Sequence, residues 1–188
     1  MKKVSLLALM IVAGVGANAE VSNYASFKVG YTQSNSMAQH KNENVKKGDM
    51  NKPAANFSVA YGMKFGEIRS DLEYTYNTPA KKDKAKVKNM SLMLNGYYDV
   101  MTGSEWTPYV QAGLGVARVK LEPNDLAKAK FGWQVGTGVA YAVDSNVSID
   151  VGYRFAGFGK VESEKKLGKD NKVRVRTHSF TLGAKIGF

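Results

Sequence analysis

Along most of the chain, apolar and polar residues alternate one for one. Ala25, Phe27, Val29 and Tyr31 interleave with Ser26, Lys28, Gly30 and Thr32, and the same two-residue period recurs over 57–64, 68–76 and 90–99. It returns over 110–117, 131–141, 147–155 and 179–188. A period of two puts successive side chains on opposite faces of a strand, and nowhere is a helical period sustained. Eight strands are predicted, an even number. The connections alternate in length as well, short near residues 65–66, 101–106 and 144–146, long and polar over 34–53, 79–86, 122–128 and 157–172. Short turns at one end and long loops at the other predict an all-β, eight-stranded antiparallel up-and-down transmembrane β-barrel. Pro53, Pro79, Pro108 and Pro123 fall in loops or at strand starts, where no ladder donor is lost.

The two faces differ in kind. One carries aliphatic and aromatic residues with few exceptions, such as Ser70 and Thr137; the other is mostly Gly, Ser, Thr, Asn, Gln and charge. A lipocalin-like barrel or a β-sandwich would need an apolar inner face, so the aromatic face must point outward into lipid. Tyr24, Phe65, Tyr98, Tyr141 and Phe188 are expected to ring one membrane interface. Tyr31, Tyr74, Tyr76, Phe131, Trp133, Tyr153 and Phe155 are expected near the other. The inner set holds Lys28, Lys64, Arg69, Arg154 and Lys185 against Glu67, Asp71, Glu73, Asp99 and Asp150. Equal numbers predict a neutral, paired charge network, and eight strands leave room for side chains and little else. A plugged lumen is expected, which argues against a narrow porin-like channel.

The N-terminus has another logic. Lys2 and Lys3 precede an apolar run, and Ala17-Asn18-Ala19 fits a peptidase site, so residues 1–19 are read as a signal peptide and 20–188 as the barrel domain. The run is too short to span a membrane as a helix, which takes about 20 residues. Cysteine is absent, which excludes disulfide staples and thiolate metal sites. Beyond residue 19 the chain holds 25 Lys and Arg against 16 Asp and Glu. That excess suggests acidic partners, and export argues against nucleic acid among them.

Several segments resemble a known family. Residues 107–117, TPYVQAGLGVA, resemble the fifth strand of small outer-membrane barrels of the opacity-protein type. Residues 131–143 resemble the strand that follows, and 147–155, ending Tyr153-Arg154-Phe155, the seventh. The alternating Phe180, Leu182, Ala184, Ile186 and terminal Phe188 resemble the signal read by the barrel-assembly machinery. The resemblance implies a bacterial outer-membrane location. It implies functions ranging from adhesin and surface antigen to membrane anchor and, occasionally, lipid-modifying enzyme. Because the chain stops at Phe188, no cell-wall-binding domain is expected.

Little else points to chemistry. A lipid A or phospholipid acyl hydrolase would need Ser and His together on the outer face, yet His178 and Ser179 are adjacent and must point apart. His40, the other histidine, lies in a long polar loop. No spacing fits a metal site, and no cofactor is expected. The glycines of 113–115 and 136–138 lie within strands and read as space for bulky neighbours in a narrow barrel, not as phosphate loops. What remains is basic loops: Lys81, Lys82, Lys84 and Lys86, and then Lys165, Lys166, Lys169, Lys172 and Arg174. These predict attraction to lipopolysaccharide phosphates or to anionic host glycans, weakened by salt. The expectation is a monomeric, non-enzymatic surface barrel in contact with outer-membrane lipid and lipopolysaccharide.

Overall fold

The computed structural model describes residues 21–38, 54–82, 85–122, 128–162 and 172–188. The predicted signal peptide, 1–19, lies outside them. Every described element is a strand: β1 Val21–Ala38, β2 Ala54–Phe65, β3 Ile68–Lys82, β4 Ala85–Asp99, β5 Trp106–Glu122, β6 Lys128–Ala142, β7 Val147–Glu162 and β8 Lys172–Gly187. They pair in chain order, all antiparallel, and β8 returns to β1 to close the barrel. Strands of 12 to 18 residues exceed the roughly 9–11 that cross a bilayer, so the sheet continues beyond the membrane.

Alternation sets the sidedness as expected. Phe27, Val59, Leu72, Leu114, Phe131, Val151 and Phe180 are exposed on the outer wall, while Ser26, Lys28, Ser58, Asp71, Glu73, Asn95 and Arg154 are buried within. In water this arrangement would be inside out; in lipid it satisfies both faces. Within the lumen, glycines give the room that the sequence predicted. A Cβ on Gly138 would overlap the Tyr109 ring, and one on Gly113 would overlap the Asn95 amide.

The short turns are built locally. Gly66 and Glu67 join β2 to β3, and Gly66 adopts φ 58°, a conformation that disfavours side chains. Asp144 Oδ1 accepts from the backbone N–H of Asn146 (2.7 Å) and Val147 (2.8 Å), an Asx turn that brings β6 into β7. Pro108 has no N–H to donate, but its carbonyl accepts from Val100 at 2.8 Å. Pro79, expected in a loop or at a strand start, falls instead within β3, at a register irregularity between Asn77 and Ala80, the place in a sheet that tolerates proline.

The structure also corrects the placement of three residues near the short turns. Tyr24 and Phe65 do not belong to the outer aromatic ring, since both are buried. Tyr24 shares the inward phase of Ser26 and Lys28, and its hydroxyl donates to Asp71 at 3.1 Å. Phe65 departs from the outward phase of β2 where the strand enters its turn. Glu67 is not in the lumen: as a turn residue it is free of the ladder's alternation, and its carboxylate accepts from the exposed Tyr98 hydroxyl at 2.9 Å. Tyr98, Tyr141 and Phe188 do line the outside at this end, joined by Trp106 and Tyr61. Trp106 packs on Tyr141 at 4.8 Å between centroids, and Tyr61 on Phe188 at 6.2 Å.

Candidate functional site

Two regions could carry function: the lumen, and the end where the connections are long. In the lumen half nearest the short turns, β3 and β4 bring Arg69 and Asp99 together. Arg69 Nε donates to both carboxylate oxygens, at 2.9 and 2.7 Å. Three rings enclose the guanidinium, Tyr97 at 4.4 Å, Tyr109 at 5.2 Å and Tyr24 at 5.7 Å. An ion pair hidden from water recovers its desolvation cost only through such additional contacts. Asp71 accepts from Tyr24 and from the Asn95 amide at 2.8 Å, and Asn95 Oδ1 accepts from Gln134 at 2.6 Å. A continuous polar chain thus spans β1, β3, β4 and β6.

Midway up, Glu73 is fully enclosed between cations from two distant strands. Arg154 of β7 donates to Glu73 Oε1, and Lys28 Nζ of β1 lies 3.6 Å from Oε2. Without Glu67, the lumen holds Lys28, Lys64, Arg69, Arg154 and Lys185 against Asp71, Glu73, Asp99 and Asp150, with Lys64 and Lys185 only half-buried. The predicted set is therefore assembled except for one carboxylate, which leaves five cations against four anions in place of the expected balance. Pairing dominates it, and its groups hold the wall together from inside.

Above this level the lining turns to hydroxyls and amides. Asn56 Nδ2 donates to Thr32 Oγ1 at 2.8 Å, and Thr32 meets Ser179 at 2.9 Å. A cavity of about 30 Å³ lies among Thr32, Asn56, Gln134, Arg154 and Ser179, room for on the order of one or two waters. Ser179 therefore faces inward. His178 lies on the outer wall, where its Nδ1 is 2.7 Å from the Tyr153 hydroxyl. The two point apart, as strand geometry requires. Among the described residues no cluster of His, Cys, Asp or Glu could hold a metal ion.

The basic residues at the far end are placed differently from expectation. Lys81 and Lys82 lie on β3, Lys86 on β4, and Lys172 and Arg174 on β8, in ladders and not in loops. The expected loop over 79–86 is strand over 79–82 and 85–86, with Lys81 paired to Lys86 and Lys82 to Ala85, and residues 83–84 lie outside those described. Lys84, Lys165, Lys166 and Lys169 lie outside the described residues. Stretches 34–55, 78–89, 118–130 and 159–176 together hold 20 Lys and Arg against 8 Asp and Glu. The short turns 66–67, 100–105 and 143–146 contain no cation and three carboxylates, Glu67, Glu105 and Asp144. The polarity along the barrel axis is thus a property of the whole sequence, visible only once each segment has been assigned to an end.

With this geometry in place, likenesses to known proteins become informative. Outer membrane protein PagN of Salmonella typhimurium is 32% identical over 124 residues, covering 56% of this chain and 52% of that protein. The chain spans about half the length, or less, of the relatives it matches by sequence. The crystal structure of Neisserial surface protein A superposes with a TM-score of 0.70 at 23% identity, over 90% of this chain and 99% of that one. Ail of Yersinia pestis, solved with the heparin analogue sucrose octasulfate, gives 0.52 at 17%, over 88% and 99%. These two establish the fold. A family model for the outer membrane protein beta-barrel domain matches residues 5–188. The chain belongs to that family, and it is a barrel of the bacterial outer membrane in contact with membrane lipid.

Proposed function

We propose that this chain is a non-enzymatic surface barrel whose cationic end engages anionic saccharides, either lipopolysaccharide in its own membrane or sulfated glycans of a host. The observation that carries the reading is the separation of charge, 20 Lys and Arg against 8 Asp and Glu at the end with long connections and none of the cations in the short turns. Lysines spaced along paired strands repeat charge along the chain, and attraction of that kind to a polyanion weakens with salt. Support also comes from Ail, whose barrel was solved with a sulfated saccharide analogue. The candidate contacts are Lys81, Lys82, Lys84, Lys86, Lys165, Lys166, Lys169, Lys172 and Arg174. On the same reading, residues 1–19 direct export, Phe188 belongs to the assembly signal, and the barrel works as a monomer with a closed lumen.

The test is binding of the refolded protein to immobilised heparin and to lipopolysaccharide across a salt series. Retention at low salt that falls steeply as salt rises is the expected result. No retention at low salt would remove ligand binding and leave a purely structural barrel.

A further inference from the structure

On the outer wall of β1, β8, β7 and β6, three successive lipid-facing rows change character toward the cationic end. The register aligns Tyr31, Phe180, Tyr153 and Thr137 in the lowest row, and His178, Phe155 and Val135 in the next. Arg176, Gly157 and Trp133 align in the highest. The rings make one connected surface: Tyr153 to Phe180 at 5.1 Å, Phe155 to His178 at 5.0 Å, and Trp133 to Phe155 at 5.6 Å. Gly157 is where it folds over. A Cβ there would lie 2.8 Å from Trp133 Cε2 and 2.9 Å from its Nε1, so the indole rests directly over β7 at this glycine. Arg176 stands exposed on β8 in that row.

Three hydrogen-bond donors therefore collect around Gly157. They are the Arg176 guanidinium, the Trp133 Nε1–H and the Nε2 side of His178, which carries the proton in the tautomer whose Nδ1 accepts from the Tyr153 hydroxyl. Neighbouring strands are about 4.8 Å apart and alternate residues about 7 Å, so the three sit within one headgroup's reach. An ordinary aromatic girdle does not explain this arrangement. Arg118, also exposed on the outer wall, has Met90 and Ala129 as its register partners and no such lattice.

We infer that this wall is a binding site for a phosphorylated glycolipid of the outer leaflet. The phosphate is held by Arg176, His178 and Trp133, and the acyl chains run down over Phe155, Tyr153 and Phe180. The inference rests on the proposed affinity for anionic saccharides and commits part of it to a lipid in the same membrane. Guanidinium and phosphate form strong charge-assisted bonds, and rings beneath them match the chains that follow.

The chain has two tryptophans, and Trp106 lies at the opposite end, so a W106F protein reports Trp133 alone. In neutral phosphatidylcholine vesicles, titration with diphosphoryl lipid A is expected to give a saturating change in Trp133 emission. R176Q should raise the half-saturation concentration at least tenfold, and H178F, which keeps the ring but not Nε2, severalfold. R118Q should leave it unchanged. Each variant is first shown to be folded by its heat-dependent gel migration. Equal responses from wild type, R176Q and H178F, or an equal response to dephosphorylated lipid A, would overturn the site. Heparin binding by the same wild-type protein separates the two readings: retained heparin binding with no lipid A response rejects this site alone, whereas loss of both rejects the saccharide reading as well.

Discussion

The half of the barrel near the short turns and the half near the long connections are built on opposite principles. The first is closed by turns whose chemistry is local, and its lumen packs a guanidinium among three tyrosines and a carboxylate. The second has a lumen of hydroxyls and amides with a small cavity, and strands that run past the membrane carrying cations. Paired charge inside the wall is concentrated at one end and unbalanced charge at the other. A wall that is rigid at its base can hold a charged rim without that rim having to stabilise the fold.

The largest effect should come from the base. Replacing Arg69 with Leu leaves Asp99 buried without its partner, and the expected loss is about 3–5 kcal/mol, read by urea unfolding from vesicles. A loss under about 1 kcal/mol, the size of a surface pair, would mean that the two halves do not differ in this way. Next in size, converting Lys81, Lys82 and Lys86 to Glu should weaken heparin retention roughly tenfold, about 1.4 kcal/mol, and flatten its salt dependence. Thermal stability should stay the same. Glu105→Gln, at the other end, should not change retention; equal effects at both ends would erase the functional contrast.

Smaller tests sharpen the same division. Gly66→Ala must place a side chain at φ 58°, at an expected cost of about 1 kcal/mol, and unfolding by urea would show it. Ser179→Ala in the upper lumen removes one hydroxyl from Thr32, which keeps its bond from Asn56. Its expected cost is near the bottom of the usual range, about 0.5 kcal/mol. A larger loss there than at Gly66 would place structural weight in the upper half.

Much of this was legible in the chain because a two-residue period and a lipid exterior leave little freedom. The count of strands and the face of most described side chains follow from alternation, and the up-and-down order from the alternating lengths of the connections. What was missed marks where that rule stops. Tyr24 obeyed the rule, but its aromatic character suggested an interface in place of an interior hydrogen bond to Asp71. Phe65 and Glu67 flank a turn, where phase is set by backbone geometry and not by the ladder. The lysines of 81–86 look like a loop because they are polar, yet a strand beyond the membrane has no apolar face to reveal it. Tyr109 was the least visible: its inward phase could be read from Gln111, but nothing in the sequence signals that it helps enclose Arg69. The outer site around Gly157 depends on register between β6, β7 and β8, which composition does not encode.

One consequence follows from how the barrel is closed. The seam between first and last strands pairs Tyr24 with Gly187 and continues through fifteen aligned positions to Ala38 and Val173. Until those distant segments meet, both carry unpaired amides and carbonyls that any other extended chain could capture. Contacts so remote in sequence are slow to form. The polypeptide must therefore be sheltered during its transit to the membrane, and its most hazardous moment is the interval before that final zippering.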